Sequence, residues 1–290
     1  MSITAHIFAA TTSTLALVGQ KHHELLTSKG WEIQYANAGA IGTGSSSNPK
    51  WDSITAAINT SGGIATYLSP LAGLTNRWVV QTELRWGTNV GYLTLRTTTA
   101  QAVNASTGAL TAPGRTNGGD IGQFSQPLWV NAGEYGFALG GTSAANASAV
   151  WHGVERRRDV GNVYVDDLVT HQFSTADLTG FTAGVQNITR NWVTLDYASG
   201  PMGVITGFAS TTALTAIATM SSSDGNVGFP VGPLTTSNGG GGVLRHVQLM
   251  RPNDAVSGVD QAIQIDGASR LYYPYTTTGP DGTRVLVAKN

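Results

Sequence analysis

Arg77-Trp78-Val79-Val80-Gln81-Thr82-Glu83-Leu84-Arg85-Trp86 is the stretch that decides the fold. Along an extended chain Trp78, Val80, Thr82, Leu84 and Trp86 fall on one side. Arg77, Val79, Gln81, Glu83 and Arg85 fall on the other. Such alternation marks a strand with one dry and one wet face. Trp31-Glu32-Ile33-Gln34-Tyr35 repeats the pattern in short form. Further strands are expected at Gly91 to Thr97, Leu128 to Val130, Tyr135 to Leu139, Ala149 to Arg156 and Asn162 to Val169. Others are expected at Asn191 to Tyr197, Met202 to Phe208, Val243 to Met250, Ala262 to Asp266 and Thr283 to Val287.

Turn signals separate these runs: Asn117-Gly118-Gly119, Gly140-Gly141, Asp224-Gly225-Asn226, the glycines after Asn238, and Asp281-Gly282. Many short strands with little helix between them point to an all-β fold. The expectation is an antiparallel sandwich, jelly-roll-like, with one or two short peripheral helices near the N-terminus. The first helix spans Thr14 to Lys29 and stops at Gly30. The second starts with Asn48 as cap and Pro49 in the first turn, places Trp51, Ile54 and Ile58 on one face, and ends at Gly62-Gly63. A weak division near Ser174 to Gly180 suggests an N-terminal sandwich region, 1–173, and a C-terminal β-rich region, 174–290, or one domain containing both. Ser237 to Gly242 reads as a loop.

Composition narrows the employment. Charged residues make up 11% of the 290, against roughly 25% in an ordinary soluble domain. Gly, Thr, Ser, Ala and Asn take their place. Such a surface is polar, and burying it against neighbours desolvates few ions. Net charge is −1 and the sequence pI about 6.6, so no field draws in nucleic acid or an anionic membrane. Absent Cys excludes disulfides and thiolate chemistry. The start of the chain lacks the basic residues and unbroken apolar run of a secretory signal, and is read as mature sequence. Met1 to Gly19 is expected to reach toward a neighbour, as is the loop at Ser237 to Gly242.

Catalytic motifs are weak throughout. His22-His23-Glu24 lacks the i, i+4 spacing that puts two imidazoles on one helical face. No G-x-S-x-G occurs. Ile41-Gly42-Thr43-Gly44-Ser45-Ser46-Ser47 lacks both the third Gly of a dinucleotide fingerprint and the Lys of a P-loop. Glu134, Glu155, Asp159, Asp166 and Asp167 cluster in sequence. Asp166 and Asp167 are adjacent in an expected strand, so alternation sends them to opposite faces. Glu155 and Asp159, flanked by Arg156, Arg157 and Arg158, read as a charged strand end with local ion pairs. No catalytic residue, cofactor or metal is expected.

Two groups are candidate interface residues. Arg156, Arg157 and Arg158 form the one basic run, and Arg forks grip a partner's carboxylates or carbonyls. Its bland alternative is a solvated turn. Arg270, Tyr272, Tyr273 and Tyr275 combine the residue types enriched at binding hot spots. Here the alternative is a strand whose tyrosines straddle core and surface. The four Asn-x-Ser/Thr sequons are what this composition yields by chance.

The chain resembles structural proteins of tailed-bacteriophage virions. The resemblance rests on Trp51-Asp52-Ser53-Ile54 before the Gly62-Gly63 break and on the strand from Asn76 to Trp86. It rests also on Val247-Gln248-Leu249-Met250-Arg251-Pro252-Asn253 leading into Ile263-Gln264-Ile265-Asp266-Gly267. It is one of texture over most of the chain, without a diagnostic motif. It implies a β-rich virion component in many symmetric copies, in the tail, baseplate, collar or capsid surface, with no catalytic residues to carry over. The expected partners are copies of itself and other virion proteins. The alternative is a carbohydrate-binding sandwich in host attachment, with Tyr272, Tyr273, Tyr275 or Trp129 as exposed platforms. A glycan-degrading enzyme with two facing carboxylates is the third reading.

Overall fold

A computed structural model describes residues 2–37, 62–86, 92–113, 117–142, 149–156, 163–166, 169–174, 192–196, 200–205, 228–230, 235–236, 239–240, 245–250, 261–265, 268–278 and 284–289. The chain is mainly β, in antiparallel sheets. It opens with strand β1 (Thr4–Phe8) and helix α1 (Leu15–Ser28). Thr14 caps the helix in extended conformation, its hydroxyl accepting from the Leu17 N–H. Gly30, at φ +83, takes the chain out of it. These ends match the sequence reading. The helix packs one face on the sheets, as expected: Leu15, Val18, Leu25 and Leu26 belong to the core, while Leu17 is exposed.

Next come β2 (Glu32–Asn37), β3 (Gly62–Leu68), β4 (Val79–Trp86) and β5 (Tyr92–Ala100). A small hairpin of β6 (Ala102–Val103) and β7 (Leu110–Thr111) precedes β8 (Asn117–Gln123). The five larger strands form one sheet in the order β2-β3-β4-β5-β8. The alternation at β4 is realised in part: Trp78, Val80, Thr82 and Leu84 are completely buried and Gln81 and Glu83 half-buried, but Val79, on the expected wet face, is 2% exposed.

A seven-stranded sheet follows, ordered β1-β9-β10-β11-β12-β13-β14. Its later members are β9 (Leu128–Gly133), β10 (Gly136–Thr142), β11 (Ala149–Arg156), β12 (Val169–Ser174), β13 (Trp192–Asp196) and β14 (Gly200–Ile205). The sheet therefore continues across residues 173 and 174. Every residue of β9 and β10 is buried, so this part of the sheet is covered on both sides. On one face Leu128, Val130, Ala132, Phe137, Leu139 and Val154 join the α1 and five-stranded-sheet residues in a single hydrophobic cluster. The C-terminal strands follow, and they meet the central sheet at Asn131, whose side chain donates to the His246 and Ala288 carbonyls. These strands are β15 (Gly228–Pro230), the pair β16 (Thr235–Thr236) and β17 (Gly239–Gly240), β18 (Val247–Met250), β19 (Gln261–Ile265), β20 (Ala268–Thr278) and β21 (Arg284–Ala288). Five of them form a sheet ordered β15-β18-β21-β20-β19. Within the two larger sheets most described neighbours are consecutive in sequence, a meandering connectivity, and the whole is consistent with an all-β sandwich.

Several sequence expectations are corrected. Met1 to Gly19 was expected to extend outward; instead β1 pairs with β9, and Ile3, Leu15 and Val18 are buried. Gly62-Gly63 starts β3, Asn117-Gly118-Gly119 lies in β8, and Gly140-Gly141 lies in β10. Gly239 and Gly240 pair with Thr236 and Thr235. The strand expected over Asn162 to Val169 begins only at Val169; residues 163–166 form a connecting segment. Asn48 to Ile58, Asp224 to Asn226, Asp281 and Gly282 lie outside the described residues.

Candidate functional site

The expected interface residues divide. Arg156 is buried, 2% exposed, and its guanidinium is spent inside the chain. It donates to the Asn76 carbonyl at 2.5 Å and the Val165 carbonyl at 3.3 Å. That corrects its placement on a contact patch: the end of β11 is covered by the β3–β4 connection, so the fork satisfies internal carbonyls. Arg157 and Arg158 lie outside the described residues. Arg270, Tyr272, Tyr273 and Tyr275 all belong to β20, an interior strand of the C-terminal sheet. Arg270 is in register with Ile263, and Tyr272 with Gln261 and Ala288. Trp129 is 1% exposed; buried in β9, it offers no platform for a sugar.

Two neighbours in β11 organise a polar end where the three layers meet. Adjacent strand residues face opposite ways. Arg156 reaches the five-stranded layer, and Glu155 reaches the C-terminal layer. Glu155 is 1% exposed. Its Oε1 accepts from the Tyr164 hydroxyl at 2.8 Å and its Oε2 from the Arg245 N–H at 3.1 Å. The Arg245 guanidinium lies 5.9 Å from the Tyr164 ring centroid. Tyr164 stacks on Tyr135, 3.7 Å between centroids, and the Tyr135 hydroxyl donates to the Ala72 carbonyl at 2.7 Å.

Asp166 closes the same end from outside. Its Oδ1 accepts from the Asn76 N–H at 2.8 Å and the Thr75 N–H at 3.0 Å, and its Oδ2 accepts from the Thr75 N–H and hydroxyl. The Thr75 and Asn76 hydrogen bonds hold this carboxyl down at about 2. The carboxylate thus pins the β3–β4 connection to the segment after β11. Leu71 and Val163, 50% and 63% exposed, sit in those two connecting segments.

A second junction centres on Asn131 in β9, completely buried. Its amide nitrogen donates to the carbonyls of His246 (2.9 Å) and Ala288 (3.3 Å). Its Oδ1 accepts from the Ala138 N–H and lies 3.0 Å from His246 Nδ1. An acceptor there requires the proton on His246 Nδ1. One amide thereby fastens β18 and β21 to the central sheet.

Three further histidines pack or bond within the fold. His22, on α1, is completely buried, packs edge-on against Phe137 at 4.8 Å, and has no hydrogen-bond partner on either ring nitrogen. Burial pulls its pKa down to about 3. His152 is likewise buried and lowered to about 3, its Nε2 lying 2.7 Å from the Thr97 hydroxyl. His23, next to His22 in sequence, instead meets the Tyr67 hydroxyl at 3.1 Å. Among the described residues no group of three or more His, Asp or Glu is arranged to hold a metal ion. No helix of the described residues is long and apolar enough to cross a membrane.

Chemically, these polar groups connect layers. A glycosidase pair needs one carboxyl to give a proton and another to attack or activate water. Glu155 is buried against its donors, and Asp166 has both oxygens occupied. Asn131, Glu155, Tyr164 and Asp166 were not singled out as connectors by sequence; two buried polar residues inside apolar strands were the available signal. No protein-family model and no curated protein matches the chain.

Proposed function

We propose that this chain is a non-enzymatic structural protein of a phage particle, assembling with copies of itself and with other virion proteins. The observation that carries the reading is the scarcity of charge: 33 of 290 residues are Asp, Glu, Lys or Arg. Part of even that small complement is internal, since Glu155 and Arg156 are buried. The surface left over is neutral and hydrogen-bonding. Packing such a surface against a neighbour avoids the several kcal/mol of desolvation that each buried ion incurs. The textural resemblance to tailed-phage structural proteins supports the same assignment, as does an architecture whose buried polar groups brace layers.

Symmetry supplies the mechanism of assembly. Repeating one modest contact around a ring or shell multiplies its effect without requiring high pairwise affinity. The test is composition of the particle. Mass spectrometry of purified virions is expected to find this chain in a fixed multiple of the portal or tail-tube copy number. An antibody to it is expected to label a defined station in electron micrographs. A chain present in lysates but missing from purified particles overturns the assignment.

A further inference from the structure

We infer that β1 is a pairing edge, at which a second copy of this chain adds its own β1 antiparallel and joins two seven-stranded sheets into one. The inference rests on the assembly reading above and gives it a contact.

β1 ends the sheet order, with β9 on one side and no described strand on the other. All five residues are in register with β9, without a bulge. In an antiparallel strand alternate residues aim their N–H and C=O away from the existing partner, so β1 aims backbone groups outward that no described strand pairs. Natural edges are normally blunted by Lys, Pro, bulges, inward charges or a covering element. Thr4-Ala5-His6-Ile7-Phe8 has none of the first four, and Thr4 is exposed.

The edge of the other large sheet shows the contrast. β2 has a register break between Ile33 and Tyr35. Its first residue, Glu32, is held by Arg77 at 2.7 Å. The β6–β7 hairpin folds onto it, so that a Cβ on Gly108 would lie 2.4 Å from the Tyr35 ring. One edge is guarded three ways; the other, among the described residues, carries none of these devices.

Self-pairing suits the residues. Antiparallel addition of identical strands is a twofold contact; centred on His6 it sets Ala5 opposite Ile7 and Thr4 opposite Phe8. β1 contains no Asp, Glu, Lys or Arg to oppose its like. The charged groups near His6 are Lys21 and Glu24 of α1, which form their own ion pair. Leu17, 46% exposed, lies one helical turn before Lys21 on the same stripe and adds apolar surface to this margin. A five-residue strand pair falls short of the roughly 1,000 Å² typical of a stable dimer. Association of the isolated chain is therefore weak and rises with concentration.

Because the chain has no Cys, single cysteines report the contact cleanly. Ala5→Cys, His6→Cys and Ile7→Cys are each oxidised mildly at high protein concentration, with Ala36→Cys on β2 as control. At least one β1 position is expected to give covalent dimer at tenfold or more the control yield. Adding Thr4→Lys, at an exposed site, is expected to cut that yield at least fivefold with the melting temperature unchanged. Sedimentation of the Cys-free chain, with and without Thr4→Lys, provides a second measure. Crosslinking no greater than Ala36→Cys, or indifference to Thr4→Lys, overturns the inference. A chain abundant in virions whose β1 does not crosslink refutes the pairing alone; efficient β1 pairing in a chain missing from virions refutes only the particle assignment.

Discussion

Asn131 and His22 are both polar, both fully buried, and opposite in what they do. Asn131 uses two donors and two acceptors to join β9 to β10, β18 and β21. Asn131→Leu leaves the His246 and Ala288 carbonyls without that donor. At about 1–3 kcal/mol for each stranded buried group, the expected loss is about 3 kcal/mol, read as a lower urea midpoint. His22 makes no hydrogen bond with either nitrogen. His22→Leu is expected to raise stability by about 1 kcal/mol at pH 7 through removal of that orphan. The substitution also changes the pH profile. With a folded pKa near 3 and an unfolded value of 6.5, the unfolded chain takes up the proton first. Stability is full above pH 6.5 and falls as pH drops toward 3, by about 1.4 kcal/mol per pH unit for one proton. His152 contributes in the same direction. Urea midpoints between pH 7 and pH 4 are expected to fall for the natural chain and less steeply for His22→Leu. A profile unaltered by the substitution refutes this account. Sequence displayed both residues without revealing their roles, because a polar side chain in an apolar run looks the same whether its partners exist or not.

Among the elements, periodic patterns were legible and glycines were misread. β4 and α1 were readable because alternation and a Thr cap with a Gly stop are local properties. β8 was hidden, and β10 cut short at Leu139, by glycine pairs that resemble turns. Their purpose is tertiary: β8 crosses β10, and a Cβ on Gly141 would sit 2.3 Å from Leu128 Cδ2 and 2.6 Å from the Ile121 carbonyl. Gly122, at φ +137, meets Gly141 Cα from the other side, 2.8 Å from its own would-be Cβ. Close approach of two sheets cannot be seen in one strand's sequence. Gly141→Ala is expected to cost about 1–3 kcal/mol through overpacking, measured as a lower thermal midpoint, whereas Gly73→Ala, with nothing within 4 Å of its Cβ, answers only to its φ of +83. If the two substitutions are equally mild, the layers are not as tightly apposed as described.

For the whole molecule, the all-β class was legible from strand density and turns, whereas the layering was not. Which sheet lies in the middle depends on pairings far apart in sequence, such as Thr4 with Ala132 and Asn131 with Ala288. The expected all-β sandwich is there, with β9 and β10 of the seven-stranded sheet buried on both faces. That arrangement turns Glu155 and Arg156 to opposite sides of β11, so these two charges of the sequence cluster are buried. Arg156→Ala therefore belongs to stability and Thr4→Lys to association, a separation that paired melting and sedimentation measurements resolve.

The pairing of β1 with β9 also sets a timetable for synthesis. Phe8 meets Leu128, so the first strand emerges roughly 120 residues before its partner. At about 5–20 residues per second it waits some 6–24 s on the ribosome. Throughout that interval both margins of the strand are open, and adjacent nascent chains on one polysome carry the same peptide. Translation speed and chaperone supply thus bear on yield through these five residues.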